Sequence, residues 1–168
     1  MAKAPTGSYD RTFEGDVTQR VPELDGYFDL IVSWQVLEHV KPLARALENL
    51  RSYLWPGGKL VVQMSGTFSA FGLINRTTPQ RLGKRAMARL LKRDPTTVFP
   101  AHYDRCWYAA LEKIMQPWSE FMIVPRYGGA RYFSFSPLLQ RLYFVGEDWV
   151  CRNNYRNLAT HYIVKATK

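Results

Sequence analysis

Two short stretches of the chain set polar chemistry beside apolar runs. Ser33, Trp34 and Gln35 close the run Phe28-Asp29-Leu30-Ile31-Val32, and Glu38 and His39 follow within four residues. An adjacent glutamate and histidine can act as acid, base or metal ligand, since the imidazole changes charge near neutrality. They can equally hydrogen-bond the start of a following helix. Earlier, Gly15-Asp16-Val17 sets a carboxylate where a chain can turn or hold a ligand donor. Later, His102 and Tyr103 stand in a proline-containing loop, as candidate substrate contacts or as residues that only hydrogen-bond the fold. Cys106 and Cys151 lack CxxC spacing, so neither a zinc site nor a disulfide framework is expected, and a reducing cytoplasm is the default location.

These residues need elements to position them. Residues 28–34 read as a buried strand. Leu43, Ala44, Leu47, Leu50 and Leu54 recur at three- and four-residue spacing, which predicts an amphipathic helix with Pro42 in its first turn. Trp55-Pro56-Gly57-Gly58 stops that helix, and Lys59-Leu60-Val61-Val62-Gln63-Met64 begins a second strand. Strand, helix and strand make a βαβ unit, which requires parallel strands and a right-handed crossover. Ser33, Trp34 and Gln35 then lie at the carboxyl end of a parallel strand, where open α/β sheets bind ligands. The fold class is α/β.

Residues 28–65 resemble the middle of a class I S-adenosylmethionine-dependent methyltransferase. That family shows an FDxIxxxxxLEH strand end, a helix, and then L-x-PGG-x-L. The resemblance covers residues 13–65 most strongly. It implies a Rossmann-like sheet in the order 3-2-1-4-5-7-6, with residues 120–125 and 157–166 as the antiparallel pair at its far edge. It also implies S-adenosylmethionine as cofactor. Asp16 would accept a hydrogen bond from the adenine amino group, the Val17 amide would lie near the ring, and Ser33 and Trp34 would flank the cofactor. Relatives that bind a metal here carry E-x-x-E-H; this chain has neutral Gln35 in the first position, and no metal site is expected.

The family's glycine-rich first turn and the acidic end of its second strand have no counterpart ahead of Asp16. The expectation is therefore the C-terminal part of a methyltransferase domain, with a sheet incomplete at its N-terminal side. The strand at residues 28–34 becomes an edge, open to self-association. Residues 1–66 form the cofactor-side core, 67–118 a helical lid insertion, and 119–168 the C-terminal strands and their connection. Residues 11–17 supply a short strand, and helices span residues 78–93 and 104–115.

Composition narrows the function without choosing it. With 46 % hydrophobic and 14 % aromatic residues in 168, the chain suits one packed domain rather than a disordered segment. The net charge of +9 attracts phosphates, and six cations between Arg81 and Arg93 suit an anionic membrane surface or an acidic substrate. No RNA-binding motif accompanies the interleaved arginines and aromatics, so nucleic acid is not the expected partner. Methyl transfer to a small-molecule acceptor is the leading reading. A non-catalytic assembly domain and a module for anionic partners are the alternatives.

Overall fold

The computed structural model describes residues 9–69, 72–73 and 101–168. The predicted helix at residues 78–93 lies outside them. Strand β1 (Phe28–Trp34) leads through a 3-10 turn (Leu37–His39) to helix α1 (Leu43–Tyr53) and strand β2 (Leu54–Ser65). Helix α2 (Tyr108–Met115), strand β3 (Glu120–Arg126), helix α3 (Pro137–Arg152) and strand β4 (His161–Thr167) follow. The sheet order is β1-β2-β4-β3, with β1 and β2 parallel and the other two pairs antiparallel. The predicted α/β class, the βαβ unit and the C-terminal antiparallel pair are all present.

Helix α1 follows from its period. Leu43, Ala46, Leu47 and Leu50 are buried on one side, while Arg45 and Glu48 face water. Pro42 sits one position earlier than predicted, at the N-cap, and offers no side-chain acceptor. The Asp104 carboxylate takes that role, accepting from the Leu43 amide at 2.9 Å. At the other end, Gly26 N and Lys168 Nζ donate to the Ser52 carbonyl. The segment at 55–58 bulges out of β2: the register advances from Phe28↔Leu54 to Leu30↔Lys59. Gly57, at φ 83°, adopts the left-handed conformation that only glycine enters without cost.

The two faces of the sheet differ. Leu60, Val62 and Met64 of β2 share one face with Ile123 of β3 and Tyr162, Val164 and Ala166 of β4, and all are buried beneath α1 and α2. Opposite parity places Leu30, Val32 and Trp34 beside Lys59, Val61 and Gln63 on the other face. There Leu30, Val32 and Trp34 are exposed. The sequence predicts β1 to be buried on both faces; among the described residues it is half-buried on one and exposed on the other. No described strand pairs with its outer edge, and residues 11–17 form no strand. An isolated extended segment without a ladder partner has no reason to become one.

The connection from β3 to β4 contains α3, a helix the sequence reading leaves within a long aromatic loop. Ser136 caps it and Pro137 occupies its first turn, the preferred residues at those positions. Helix α2 begins at Tyr108 rather than near Asp104, because residues 101–107 are held in a loop across the end of the sheet.

Candidate functional site

The sheet's carboxyl end gathers polar groups from three loops. Gln35 leaves β1 at φ 54°, a strained turn for a residue with a side chain, while its amide still bonds the Gln63 carbonyl at 2.8 Å. The turn sends its side chain to Ser65 at the end of β2. Ser65 Oγ lies 2.8 Å from Gln35 Oε1 and 3.1 Å from Glu38 Oε1. One hydroxyl hydrogen cannot serve both acceptors. Turning the Gln35 amide so that its NH2 donates to Ser65 lets Ser65 donate to Glu38, and that assignment gives each of the two contacts a donor and an acceptor. It leaves a Gln35 oxygen and Glu38 Oε2 without partners, both buried.

Glu38 is only 3 % exposed. Its backbone carbonyl accepts from His102 N at 2.9 Å and Tyr103 N at 3.0 Å, which draws the 101–107 loop across the site. Tyr103 is buried at φ 49°, and its carbonyl accepts from Thr67 Oγ1 at 3.1 Å. Cys106, next in the same loop, is pushed up to about 12 by burial and by the charges of Glu38 and Asp104. It stays a packed thiol.

A second cluster stands across β4. His161 pairs with Ser65 in the ladder, and its Nε2 lies 3.2 Å from Tyr132 OH. Glu147 of α3 accepts from Gly128 N at 2.8 Å and Gly129 N at 2.9 Å, and also from Thr160 Oγ1. Successive amides hold this carboxylate and pin α3 to the sheet end. Burial pushes the His161 imidazole below its ordinary range, against the pull of Glu147. The unfolded chain therefore binds a proton there more readily, so the fold loses stability as pH falls through about 6.5. Urea midpoints at about pH 7.5 and 5.5 should show this drop, and His161→Asn should reduce it; an undiminished drop would place the effect elsewhere.

The predicted site residues fall into two groups. Glu38 is joined to the loop carrying His102 and Tyr103, with Ser33 and Trp34 nearby at the end of β1. His102 is exposed and His39 half-buried. Asp16 and Val17 lie beside α1, tied to it through Asn49. Asp16 Oδ1 accepts from Thr18 N at 2.9 Å and Thr18 Oγ1 at 2.8 Å, bonds that hold the carboxyl below its usual range. The Val17 carbonyl accepts from Asn49 Nδ2. Ser65, Thr160, His161, Tyr132 and Glu147 are missed by the sequence reading. Ser65, Thr160 and His161 are marked only by their place at strand ends, which depends on β4 inserting between β2 and β3, and Tyr132 and Glu147 only by the β3–β4 connection packing against them. Among the described residues no group of His, Cys, Asp and Glu is arranged to hold a metal.

A protein-family model described as a methyltransferase domain matches residues 3–120. No curated protein sequence matches the chain. Among solved structures, a SAM-dependent methyltransferase from Archaeoglobus fulgidus is 17 % identical over 93 % of this chain and 66 % of its own, at a TM-score of 0.50. Phosphoethanolamine N-methyltransferase 2 of Haemonchus contortus, solved with S-adenosyl-L-methionine, is 14 % identical over 91 % of this chain, at a TM-score of 0.48. A S-adenosylmethionine-dependent methyltransferase from Mesorhizobium loti is 16 % identical over 92 % of this chain and 68 % of its own, with a TM-score of 0.47. The chain spans 36 % of the Haemonchus enzyme's length.

Proposed function

The chain belongs to the methyltransferase domain family, and from that premise we propose that it serves S-adenosylmethionine-dependent methyl transfer to a small-molecule acceptor. The observation that carries the reading is Glu38, a buried carboxylate with an unpartnered oxygen beside Gln35 and Ser65 at the carboxyl ends of β1 and β2. A buried acceptor left without a partner is costly, and a ligand N–H or O–H would relieve it. Methyl transfer by in-line displacement depends chiefly on holding donor and acceptor in line. Glu38 and Gln35 orient the acceptor, with His39, His102 and Tyr103 as further acceptor contacts. The 101–107 loop excludes water, and in this proposal residues 67–118 act as the lid, most of that insertion lying outside the described residues.

The cofactor fits this chain in part. Asp16 keeps one carboxylate oxygen free and exposed for the adenine amino group, with Val17 beside it and Ser33 and Trp34 at the end of β1. The cofactor supplies the activated methyl when bound. Titration calorimetry with S-adenosylmethionine and S-adenosylhomocysteine tests the reading. Saturable binding should weaken about tenfold or more in Asp16→Ala, the loss of one or two good hydrogen bonds. No heat from a folded sample would overturn it for this chain.

An assembly role is favoured by one specific observation, the outer edge of β1, which no described strand pairs, with its exposed apolar row. Strand addition there, by a second copy or another polypeptide segment, would satisfy the unpaired amides and carbonyls. The anionic-membrane reading rests on residues 81–93, outside those described. No described helix is long and apolar enough to cross a membrane. The cytoplasm remains our proposed location.

A further inference from the structure

Helix α3 is built inside out. Its inward-facing residues are Gln140, Tyr143, Glu147 and Val150, held by the Glu147 bonds to Gly128 and Gly129 and by Tyr143 against Thr160 and Phe133. Its outward stripe is Leu138, Leu142, Val145 and Trp149, which are 69, 62, 60 and 56 % exposed. No residue of this sixteen-residue helix is buried. A surface helix ordinarily turns its apolar stripe to the core and its polar face to water.

The outward spacing is 4-3-4, the seam of a helix that packs on another helix over two heptads. At about 100° per residue the four side chains fall within roughly 60°, with Leu139 and Phe144 exposed to either side of them. Phe135, just ahead of the helix, is exposed as well. Arg141 and Asp148 stand on the same flank, seven residues apart. In an antiparallel pair of identical helices this flank meets its own copy. With Leu142 set against Val145 of the second copy, Arg141 falls opposite Asp148 of that copy, and Asp148 opposite its Arg141. The charges are self-complementary only in this arrangement. In a parallel pair Arg141 would meet the Gly146 position instead.

We propose that α3 pairs with α3 of a second copy of this chain, antiparallel about a twofold axis. Such an interface is isologous, so one apolar ridge and one charge pair, each used twice, complete it. Asp148 already bonds Arg152 of its own helix at 2.8 Å, leaving it exposed enough to accept a second cation. The helix is about 24 Å long, so the contact is at the small end of specific interfaces, and a dissociation constant on the order of 10 µM is expected. The inference does not depend on methyl transfer.

Sedimentation of the full chain between about 2 and 200 µM tests it, a range spanning the expected constant. The mass should rise from monomer to dimer, and Leu142→Glu should hold it at monomer throughout. Arg141→Glu and Asp148→Arg should each weaken the dimer about tenfold by setting like charges together. An equimolar mixture of those two variants should recover it, because both charge pairs are then opposite. Arg141 and Leu142 are exposed and Asp148 is half-buried at the surface, so circular dichroism should show an intact fold. A wild-type monomer at every concentration would overturn the proposal. So would a dimer indifferent to Leu142→Glu, which would place association at the edge of β1, or a mixture that fails to recover. Leu142-dependent binding of a monomer to vesicles of anionic lipid would assign the ridge to a membrane instead.

Discussion

Gly66→Ala should cost about 2–4 kcal/mol of folding stability, a large share of the total for a domain of this size. Gly66 follows β2 at the point where the chain passes residues 159–160. Its amide donates to the Thr160 carbonyl at 2.7 Å, and a Cβ there would overlap the Ala159 carbonyl oxygen and come within 3.1 Å of the Tyr162 ring. The obstacle is backbone on a buried segment, not the far end of a flexible side chain, so β2 and β4 would have to separate where Ser65 pairs with His161. Gly128→Ala is the control, since a Cβ there meets open space, and it should stay within about 0.5 kcal/mol of the parent. Urea unfolding of the three proteins measures both. Equal midpoints would mean that the two segments part without cost.

Leu60→Ala should cost about 3–4 kcal/mol, whereas Val32→Ser should change stability by about 0.5 kcal/mol or less. Leu60 is fully buried in β2, flanked in the ladder by Ile31 and Ala166 and covered by the helices. Its removal leaves a cavity that the strands, fixed by their ladders, cannot collapse. Val32 projects from the other face into solvent. Denaturant melts of the two variants measure how unequal the faces are. A costly Val32→Ser would show that the open face is covered in solution, by another copy or another segment.

The parts of the fold legible in the sequence were those with local causes. The period of Leu43, Leu47 and Leu50 marked α1. The apolar run after Lys59 marked β2, but the strand begins earlier, at Leu54, and the prolyl-glycine segment read as the helix stop is a bulge within it. Helix α3 escaped for a physical reason: its apolar residues follow a helical period but face outward, among aromatics that also suit a packed connection. Ser136 and Pro137 were the signal that marked its start. At the site, Glu38 could be named from its position after a strand, along with Gln35. Ser65 and His161 could not, because they become neighbours only through the β2–β4 pairing across nearly a hundred residues. The expected strand at residues 11–17 failed because a strand needs a neighbour, and the described residues give it none.

The ends of α1 carry a consequence for time as well as stability. Its first amide waits for Asp104, sixty-one positions later, and the Leu54 carbonyl just past its end waits for Lys168, more than a hundred positions later. Strand β2, the centre of the buried face, likewise waits for β4. As the polypeptide emerges amino end first, α1 and β2 are made early and secured late. During that interval Leu60, Val62 and Met64 face water on a strand with one neighbour at most. Contacts of such long reach make folding slow, and an exposed strand is what folding helpers and other unfinished chains recognise. Yield of this protein in a cell should therefore respond to slower synthesis or lower temperature more than its final stability suggests.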